Sequence, residues 1–289
     1  MSAKIRRLNS FLKVFVKNKT SFLGAFIVLM FVLMATIGRL LYPFDSSYHP
    51  ENRYLPPSLE HPLGTDFGGR DTLGELIYGS SDVLIVAFLT GFFTTLLALV
   101  VGVSSAYIGG LFDAFLVGAM DVLLVIPSFP LLMIIAAMIR RAISPVEVAL
   151  IISSVGWPGL ARTIRSQVLS IKTRPFIEAA RCLGLKERHI LMSEIVPNLL
   201  PYVLMNLIMA IINGVYTQVS LYFLGLLPFS SINWGVMINI ALAQGALLFP
   251  KAWLYLFSPI MCIIFLQTGF VLLLNGLEET LNPRLNKEL

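Results

Sequence analysis

Residues 173–201 read TRPFIEAARCLGLKERHILMSEIVPNLLP, the one long segment in the second half of the chain that combines charge with a helical pattern. Stretches of membrane length with almost no charge lie close to it on either side. Its seven charged residues are Arg174, Glu178, Arg181, Lys186, Glu187, Arg188 and Glu194. A water-facing helical segment between apolar segments needs an explanation, and we expect it to be a docking surface for another protein.

The segment carries the local signals of two short helices joined at a hinge. Pro175 suits a first helical turn, where its missing N–H has no partner to lose, and Glu178 complements the positive end of the helix dipole. Gly184 stands where a helix end needs a left-handed residue. A second helix is predicted over residues 186–196, and Pro197 is predicted to end it.

Two other interpretations of this segment compete with docking. It could be an ordinary solvated pair of helices, or a DNA-binding helix-turn-helix, which also uses a short turn with glycine and basic residues. The DNA-binding interpretation fails because the apolar flanks hold the segment at the membrane. Ala179 and Ala180 lack bulk, so they let another surface approach the backbone closely, which favours docking.

The composition is that of a membrane protein. Hydrophobic residues make up 57% of the chain and charged residues 13%, against about 25% charged in soluble domains. The net charge of +5 comes from basic residues that flank apolar stretches, which indicates cytoplasmic loops and not a nucleic-acid partner. Cys182 and Cys262 give no disulfide framework and no metal spacing, and the three histidines form no ligand cluster. An all-α polytopic membrane protein without a metal site is therefore predicted.

Hydropathy and charge together predict the topology. The six expected transmembrane helices cover residues 21–38, 83–112, 122–139, 148–161, 202–225 and 252–277. The first apolar run is too long for a signal peptide and lacks a cleavage site, which favours an uncleaved span. The basic excess of residues 162–196 places this loop in the cytoplasm, so both termini are cytoplasmic as well. Arg140 and Arg141 then fall on the outer side, against the positive-inside rule.

The connections between the spans carry further local predictions. Pro127 and Pro130 predict a kink in the third span, and Gly-Trp-Pro-Gly at residues 156–159 interrupts the fourth. Asp113 and Asp121 are expected to bracket a short inner link. Residues 226–250, which contain several break signals, are predicted to form an external or re-entrant segment.

The acidic-leaning stretch from residue 43 to about residue 80 is compatible with an outer loop. Within it, residues 61–71 read HPLGTDFGGRD, which is rich in turn-forming residues. We expect Asx turns to hold these residues as a tight external loop. Contact with a substrate-binding protein is the alternative interpretation of the same residues.

The chemistry that is missing narrows the function. The sequence contains no Gly-x-x-x-x-Gly-Lys-Ser/Thr loop, so ATP has no phosphate cradle here and any energy comes from a partner. No nucleophile–base arrangement supports an enzyme, so no catalytic residue is predicted. The charge-poor spans argue against a proton-coupled carrier. Their amides suit a passive polar path, predicted to include Asn206, Asn213, Gln218 and Gln244, although packing between helices would explain any one of them.

Glu178-Ala179-Ala180, then Gly184 and Pro197, resembles the EAA signature of ABC importer permeases. The ending at residues 194–198, EIVPN, departs from the general signature and is similar to that of the oligopeptide/dipeptide/nickel branch. Similar branch motifs extend from residue 61 to residue 285, with departures at Gly68, Tyr222 and Asn233. The chain is most similar to the second permease of such systems.

This resemblance implies a set of roles and partners. The ATPase-coupling residues would be Glu178, Ala179, Ala180, Arg181, Gly184 and Pro197. The partners would be a second homologous permease, one or two cytoplasmic ABC ATPases, an extracytoplasmic substrate-binding protein and membrane lipid. ATP and Mg would be used by the ATPase, with no cofactor bound directly. The location would be the cell membrane, with import as the direction of transport.

The substrate and the division of the chain are expectations of the same kind. Oligopeptides or dipeptides are the first expectation, and oligosaccharides or nickel are the alternatives within the branch. An ATP-independent secondary transporter and a non-transporting scaffold are the alternatives outside it. Residues 1–80 would form an N-terminal segment, first span and external loop, and residues 81–285 a permease core with the EAA loop at 173–201.

Overall fold

The computed structural model describes residues 18–229 and 231–281, and within them the chain is almost entirely helical. The helices are α1 (Lys19–Leu41), α2 (Thr72–Ile108), α3 (Gly110–Val125), α4 (Ser128–Ala137), α5 (Pro145–Lys172), α6 (Pro175–Cys182), α7 (Glu187–Phe223), α8 (Trp234–Ala243) and α9 (Trp253–Leu281). An isolated bridge between Thr65 and Asp71 is the sole β pairing in this part of the chain. The all-α prediction is confirmed there, and the basic N-terminal segment and the residues from 282 onward lie outside it.

Four of these helices, α1, α2, α7 and α9, are long and apolar enough to cross a membrane. A fifth candidate is the pair α3 and α4, which is bent by 82° at its break. This bend confirms the kink predicted from Pro127, because Pro127 precedes the first residue of α4 and its backbone is not helical. The predicted fourth span lies in α5, which has 28 residues and is therefore long enough to cross a membrane. Four of these residues are charged, and α5 is not among the helices that are apolar enough to do so.

The second apolar helix begins earlier than the sequence pattern predicts. α2 starts at Thr72, not near Val83, and its 37 residues take in the end of the predicted loop and the boundary between residues 80 and 81. The Asp71 side chain caps the helix by accepting a hydrogen bond from the Gly74 N–H at 2.7 Å. A capping carboxylate starts a helix whatever the hydropathy of its first turns, so a pattern based on apolar runs misses it.

The predicted short link between Asp113 and Asp121 is wrong, because both residues lie within helix α3. Each carboxylate is neutralised by an arginine of α5: Asp113 binds Arg165, with a shortest contact of 2.5 Å, and Asp121 binds Arg162. The chain reverses instead at Gly109, whose φ of +73° is costly for a residue with a side chain. The two aspartates of α3 therefore form ion pairs with α5 and do not mark a solvated loop.

Two prolines that were expected to break helices lie inside them. α5 continues through Pro158, and the indole of Trp157 donates to the Ser154 carbonyl at 3.1 Å, the group that proline leaves without its usual partner. Pro197 likewise does not end the second helix of residues 173–201, which runs on as α7 to Phe223. A π-helical turn over Leu191–Ile195 precedes Pro197. Pro197 therefore lies at the start of the next α-helical stretch, where the N–H that proline lacks would have no partner within the helix.

α2 forms the centre of the packing, with α5 and α7 along its length, while α1 lies along α9. Small residues make these approaches close. A Cβ at Gly102 of α2 would fall 2.5 Å from the Ala161 carbonyl of α5, and one at Gly24 of α1 would fall 2.7 Å from the Gly269 carbonyl of α9. The helices are therefore packed backbone against backbone, as is usual where lipid removes the hydrophobic driving force between helices.

Candidate functional site

The charged segment forms the short helix α6 and a tight turn after it. Pro175 opens α6, and Glu178 lies in its first turn, as predicted. The Gly184 N–H donates to the Arg181 carbonyl at 2.9 Å, and the Leu185 N–H donates to the Ala180 carbonyl at 3.2 Å. Gly184 has φ of +76°, so the end of α6 is a Schellman motif with glycine at its left-handed position. The prediction that Gly184 ends the first helix in a left-handed conformation is confirmed, whereas the second helix is not short but continues as α7.

The inner face of α6 is anchored in a hydrophobic core. Ile177 is fully buried and Ala180 is 7% exposed. They belong to a cluster with α2 and α5, among whose buried members are Ala98, Val103, Ala106, Ala161, Ile164 and Val168. Ile190 and Ile195, from the start of α7, complete the same cluster. The inner face of α6 is therefore buried in a cluster that it shares with the start of α7 and with the later parts of α2 and α5.

Polar contacts add to this anchoring. Glu187 of α7 accepts hydrogen bonds from the Tyr107 hydroxyl at 2.8 Å and from Arg181 Nε at 3.0 Å. Lys172 Nζ, at the end of α5, donates to the Ala106 carbonyl of α2 at 3.0 Å. Because the Arg181 and Glu187 side chains are 38% and 57% exposed, water screens their ion pair and it contributes little to stability. The Arg181–Glu187 contact links α6 to α7, and the other two join α7 and α5 to α2. Burial of its apolar face supplies most of the stability of α6.

The outer face of the same segment exposes large apolar side chains among charges. Leu183 is 80% exposed, Met192 59%, Phe176 44% and Leu185 40%. Glu178, Arg181 and Gly184 are exposed beside them. Apolar side chains clustered on a charged surface are typical of a protein interaction site.

The structure separates the six predicted coupling residues into two groups. Ala179 is exposed with the charged residues, whereas Ala180 is buried against this chain's own core and does not present a free surface. Glu178 makes no ion pair within the described residues, so its carboxylate is open to a partner. Pro197 is exposed but lies inside α7, beyond the π-helical turn.

A polar cavity of about 500 Å³ lies between α2, α4, α5 and α7. Its lining residues are Thr90, Thr94, Ser128, Leu132, Ile152, Val155, Gly156, Gly159, Leu160, Thr163, Tyr202, Asn206, Met209, Ala210, Asn213 and Thr217. Hydroxyl and amide groups alternate with apolar ones, and no charged residue is among them. The Thr90 Oγ1 is buried without a hydrogen-bond partner in the described part of the chain. The cavity can therefore offer hydrogen bonds to a solute without attracting either sign of charge.

Two of the four predicted pathway residues line this cavity and two do not. Asn206 and Asn213 project into it from one face of α7. Gln218 is fully buried elsewhere, where its Nε2 donates to the Val83 carbonyl of α2 at 2.6 Å, so it has a packing role. Gln244 follows the end of α8, outside the cavity.

Sequence reasoning missed most of the cavity lining. Thr90, Thr94, Thr163 and Thr217 contribute its hydroxyl groups, and Gly156 leaves room on α5. Threonine is common in apolar helices and bonds to its own backbone there, so its presence alone indicates nothing. Only the way the helices cross decides which threonines face a shared space.

Residues 61–71 are held together by the expected local hydrogen bonds. Asp66 Oδ1 accepts from the Gly68 and Arg70 N–H groups, each at 2.8 Å, which is the predicted Asx-turn arrangement. In the preceding loop, a hydrogen bond from the Ser47 side chain, aided by His49, lowers the pKa of Asp45 to about 2. The hydrogen bond to Asp45 in turn raises the pKa of His49.

These features define a class: a multi-pass α-helical membrane protein with an uncharged polar cavity between its helices and an exposed surface of mixed apolar and charged residues on a separate short helix. Comparison with known families identifies the class more narrowly. Residues 72–287 match the family described as "Binding-protein-dependent transport system inner membrane component", and this chain belongs to that family. Residues 7–57 match the N-terminal transmembrane domain of oligopeptide transport permease C.

Curated relatives and a solved structure agree with this assignment. The dipeptide transport system permease protein DppC of Bacillus subtilis is 31% identical over 94% of this chain and 84% of its own length. The oligopeptide transport system permease protein OppC of the same organism is 28% identical over 94% and 88%. A structure of the MetNI methionine ABC transporter aligns with a TM-score of 0.52 over 69% of this chain and 94% of its own, at 17% identity, which shows a shared fold.

Proposed function

We propose that this chain is a membrane-spanning permease subunit of an ATP-driven importer for oligopeptides or dipeptides. It would form half of the translocation pathway, with a second homologous permease forming the other half. A cytoplasmic ABC ATPase, in one or two kinds, would use ATP and Mg, and an extracytoplasmic binding protein would deliver the peptide. The substrate class is taken from the dipeptide and oligopeptide permeases to which the chain is similar.

One observation carries the mechanism: α2 and α5 both line the cavity, and both contribute to the hydrophobic cluster that buries the inner face of α6. Ala106, beside the docking segment, lies 16 residues after Thr90, which lines the cavity, so about 24 Å of helix separates them. On α5, Val168 lies 12 residues after Gly156, or about 18 Å. A displacement imposed on α6 is therefore carried to the cavity by two continuous helices.

In this proposal the transport cycle is one of alternating access. ATP binding would close the ATPase pair and move α6 as a rigid lever, and α2 and α5 would open the cavity toward the binding protein. Hydrolysis would reset them. Glu178, Ala179, Arg181 and Gly184 would meet the ATPase, while Ala180 and the core beneath it transmit the movement.

The proposal includes a topology of six crossings in the cell membrane, with both termini and α6 on the cytoplasmic side. α5 would be the sixth crossing helix, since its first half is apolar and its charged residues Arg162 and Arg165 pair with α3. Cysteine accessibility tests this topology in a chain whose native Cys182 and Cys262 are replaced by serine. Leu183→Cys should then react with a membrane-impermeant maleimide only from the cytoplasmic side, and Leu59→Cys only from the outside. Reaction of both from one side would contradict it.

The direct test of function is native purification of the tagged chain followed by mass spectrometry. We expect a second permease, an ATPase and a binding protein carrying a peptide. A chain that purifies alone under gentle conditions, with transport insensitive to nucleotide, would instead indicate an ATP-independent transporter. A bound oligosaccharide or nickel complex would keep the permease function and replace the peptide.

A further inference from the structure

A second polar cavity, of about 360 Å³, lies where α2 begins, away from the central cavity. Glu75 from the first turn of α2, Tyr255 of α9 and Ser231 before α8 contribute to its wall. It has no lining residue in common with the central cavity. The function proposed above does not use it.

Two carboxyl groups are buried at or next to this second cavity. Asp66 is fully buried and Glu75 is 3% exposed. Arg70 pairs with both, through a contact of 2.7 Å to Asp66 Oδ2 and one of 3.2 Å to Glu75 Oε1. Burial lowers the pKa of Arg70, but the charges of Glu75 and Asp66 more than offset it and leave that pKa raised. One guanidinium therefore serves two carboxylates.

Two buried atoms of the wall lack a hydrogen-bond partner in the described part of the chain. These are the Oε2 of Glu75 and the hydroxyl of Tyr255, which is 1% exposed. A buried carboxylate oxygen without a donor is costly, because it has lost water and gained nothing in exchange. Both atoms belong to residues that line the same cavity, so a single occupant would satisfy both.

The neighbouring polar groups decide what kind of occupant fits. Ser231 Oγ donates to Asp82 Oδ1 at 3.1 Å, so its oxygen can still accept a hydrogen bond. Asn233 is committed, since its Nδ2 donates to Asp82 Oδ2 at 2.6 Å and its Oδ1 accepts from the Gly235 N–H at 2.9 Å. The open positions are therefore a carboxyl group, a phenol and a hydroxyl group, each of which has an oxygen that can accept a hydrogen bond.

Three groups that can accept hydrogen bonds, beside two carboxyl groups that share a single guanidinium, match a group with three donors and a positive charge. A metal ion is disfavoured, because no group of three or more metal-ligating side chains occurs within residues 18–229 and 231–281. Apart from these polar groups and the exposed Ser46, the wall is apolar and includes Phe229, Val236, Met237 and Ile240. This surface suits a short carbon skeleton and not a bare ion.

We infer that this cavity binds a primary ammonium group attached to a short apolar skeleton, with Glu75, Tyr255 and Ser231 as its acceptors. If the proposed importer function holds, that group is the amino terminus of a peptide. The site would then recognise one end of the substrate near the start of α2, and the uncharged central cavity would accommodate the remainder during passage.

The experiment measures binding of n-butylammonium to the purified full-length chain in detergent by isothermal titration calorimetry. Glu75→Gln keeps the shape and removes the charge, and Tyr255→Phe removes a hydroxyl that has no partner to lose, so both variants should fold. Loss of one charge-assisted hydrogen bond weakens binding about 10- to 100-fold, which is the effect expected for each. Glu60→Gln makes the same chemical change on an exposed carboxylate and should bind as the wild type does.

Equal affinity in all four proteins, or no binding to any, would overturn the site. The source of the ammonium group is tested by displacing n-butylammonium with trialanine and with N-acetyl-trialanine. Displacement by trialanine alone supports the peptide amino terminus, and displacement by neither overturns that assignment while leaving the amine site in place. ATP-driven trialanine uptake by the assembled importer is measured separately, so failure of the importer function is distinguished from failure of the site.

Discussion

Gly184 provides the sharpest test of the coupling surface. Its φ of +76° is costly for any residue with a side chain, by about 1–2 kcal/mol. A Cβ added there meets no atom within 4 Å, so a substitution adds backbone strain without a steric clash in this chain. A strain of that size shifts the local equilibrium at the end of α6 by a factor of about 5–30, well below the 5–15 kcal/mol that typically stabilises a domain. Variants should therefore still insert and fold.

Three substitutions separate strain from loss of docking. Gly184→Asn tolerates the left-handed conformation and should transport almost normally. Gly184→Ala carries the strain without bulk or charge and should retain most uptake. Gly184→Glu carries the same strain and adds a charged side chain to the exposed surface, so we expect it to abolish transport. The assay is ATP-driven uptake of a labelled tripeptide into proteoliposomes with the assembled importer, alongside membrane yield and thermal melting of each variant.

The comparison of the alanine and glutamate variants decides the result. Uptake lost equally in both would place the effect in the backbone conformation of the Schellman motif. Normal uptake by Gly184→Glu would refute the reasoning altogether, because a partner surface that meets Gly184 cannot accommodate that side chain. Loss of the ATPase on purification of the glutamate variant alone would locate the defect at the interface.

Three further predictions follow from the same geometry. Asn213→Leu, in the central cavity, should reduce uptake several-fold without lowering the melting temperature. Gln218→Ala should lower the melting temperature by several degrees, because it removes the buried hydrogen bond to the Val83 carbonyl, at a cost of about 1–3 kcal/mol, and leaves a cavity. Arg165→Gln leaves a partly buried carboxylate on α3 without its ion pair and should also lower thermal stability, measured in the same melts. His49 and Asp45 should hold their loop best between about pH 4 and 6.5, where both are charged. Amide hydrogen exchange of that loop should show this window, which Asp45→Asn should remove.

The sign of the pH effect follows from the two shifts. The pKa of His49 is raised, so its contribution is complete below its unfolded pKa and is lost as pH rises through the folded value. The pKa of Asp45 is lowered to about 2, so its contribution is present above its unfolded pKa and is lost as pH falls toward 2. Protection that increases steadily above pH 7 would contradict the pairing. Equal melting temperatures for the Asn213 and Gln218 variants would contradict their separation into cavity and packing residues.

Local features of the sequence predicted the local features of the fold. The positions of Pro175 and Gly184 predicted the start and end of α6, and Pro127 predicted the bend after α3. These predictions hold because capping, left-handed turns and proline kinks depend on neighbouring residues of the chain. The same local reasoning failed at Pro158 and Pro197, where an indole hydrogen bond and a π-helical turn compensate for the missing N–H.

The apolar runs and the charged segment at 173–201 thus determined by themselves that the chain is helical, membrane-embedded and equipped with an exposed helical loop. Only the tertiary structure decided which polar residues share a space. Asn206 and Asn213 line the central cavity, whereas Gln218, on the same helix, bonds to α2. Likewise, Ala179 is exposed while its neighbour Ala180 is buried. The physical reason is that a helix with apolar residues on all sides has no sequence periodicity that marks one face as special. Only the neighbouring helices decide which of its faces lines a cavity and which is in contact with another helix.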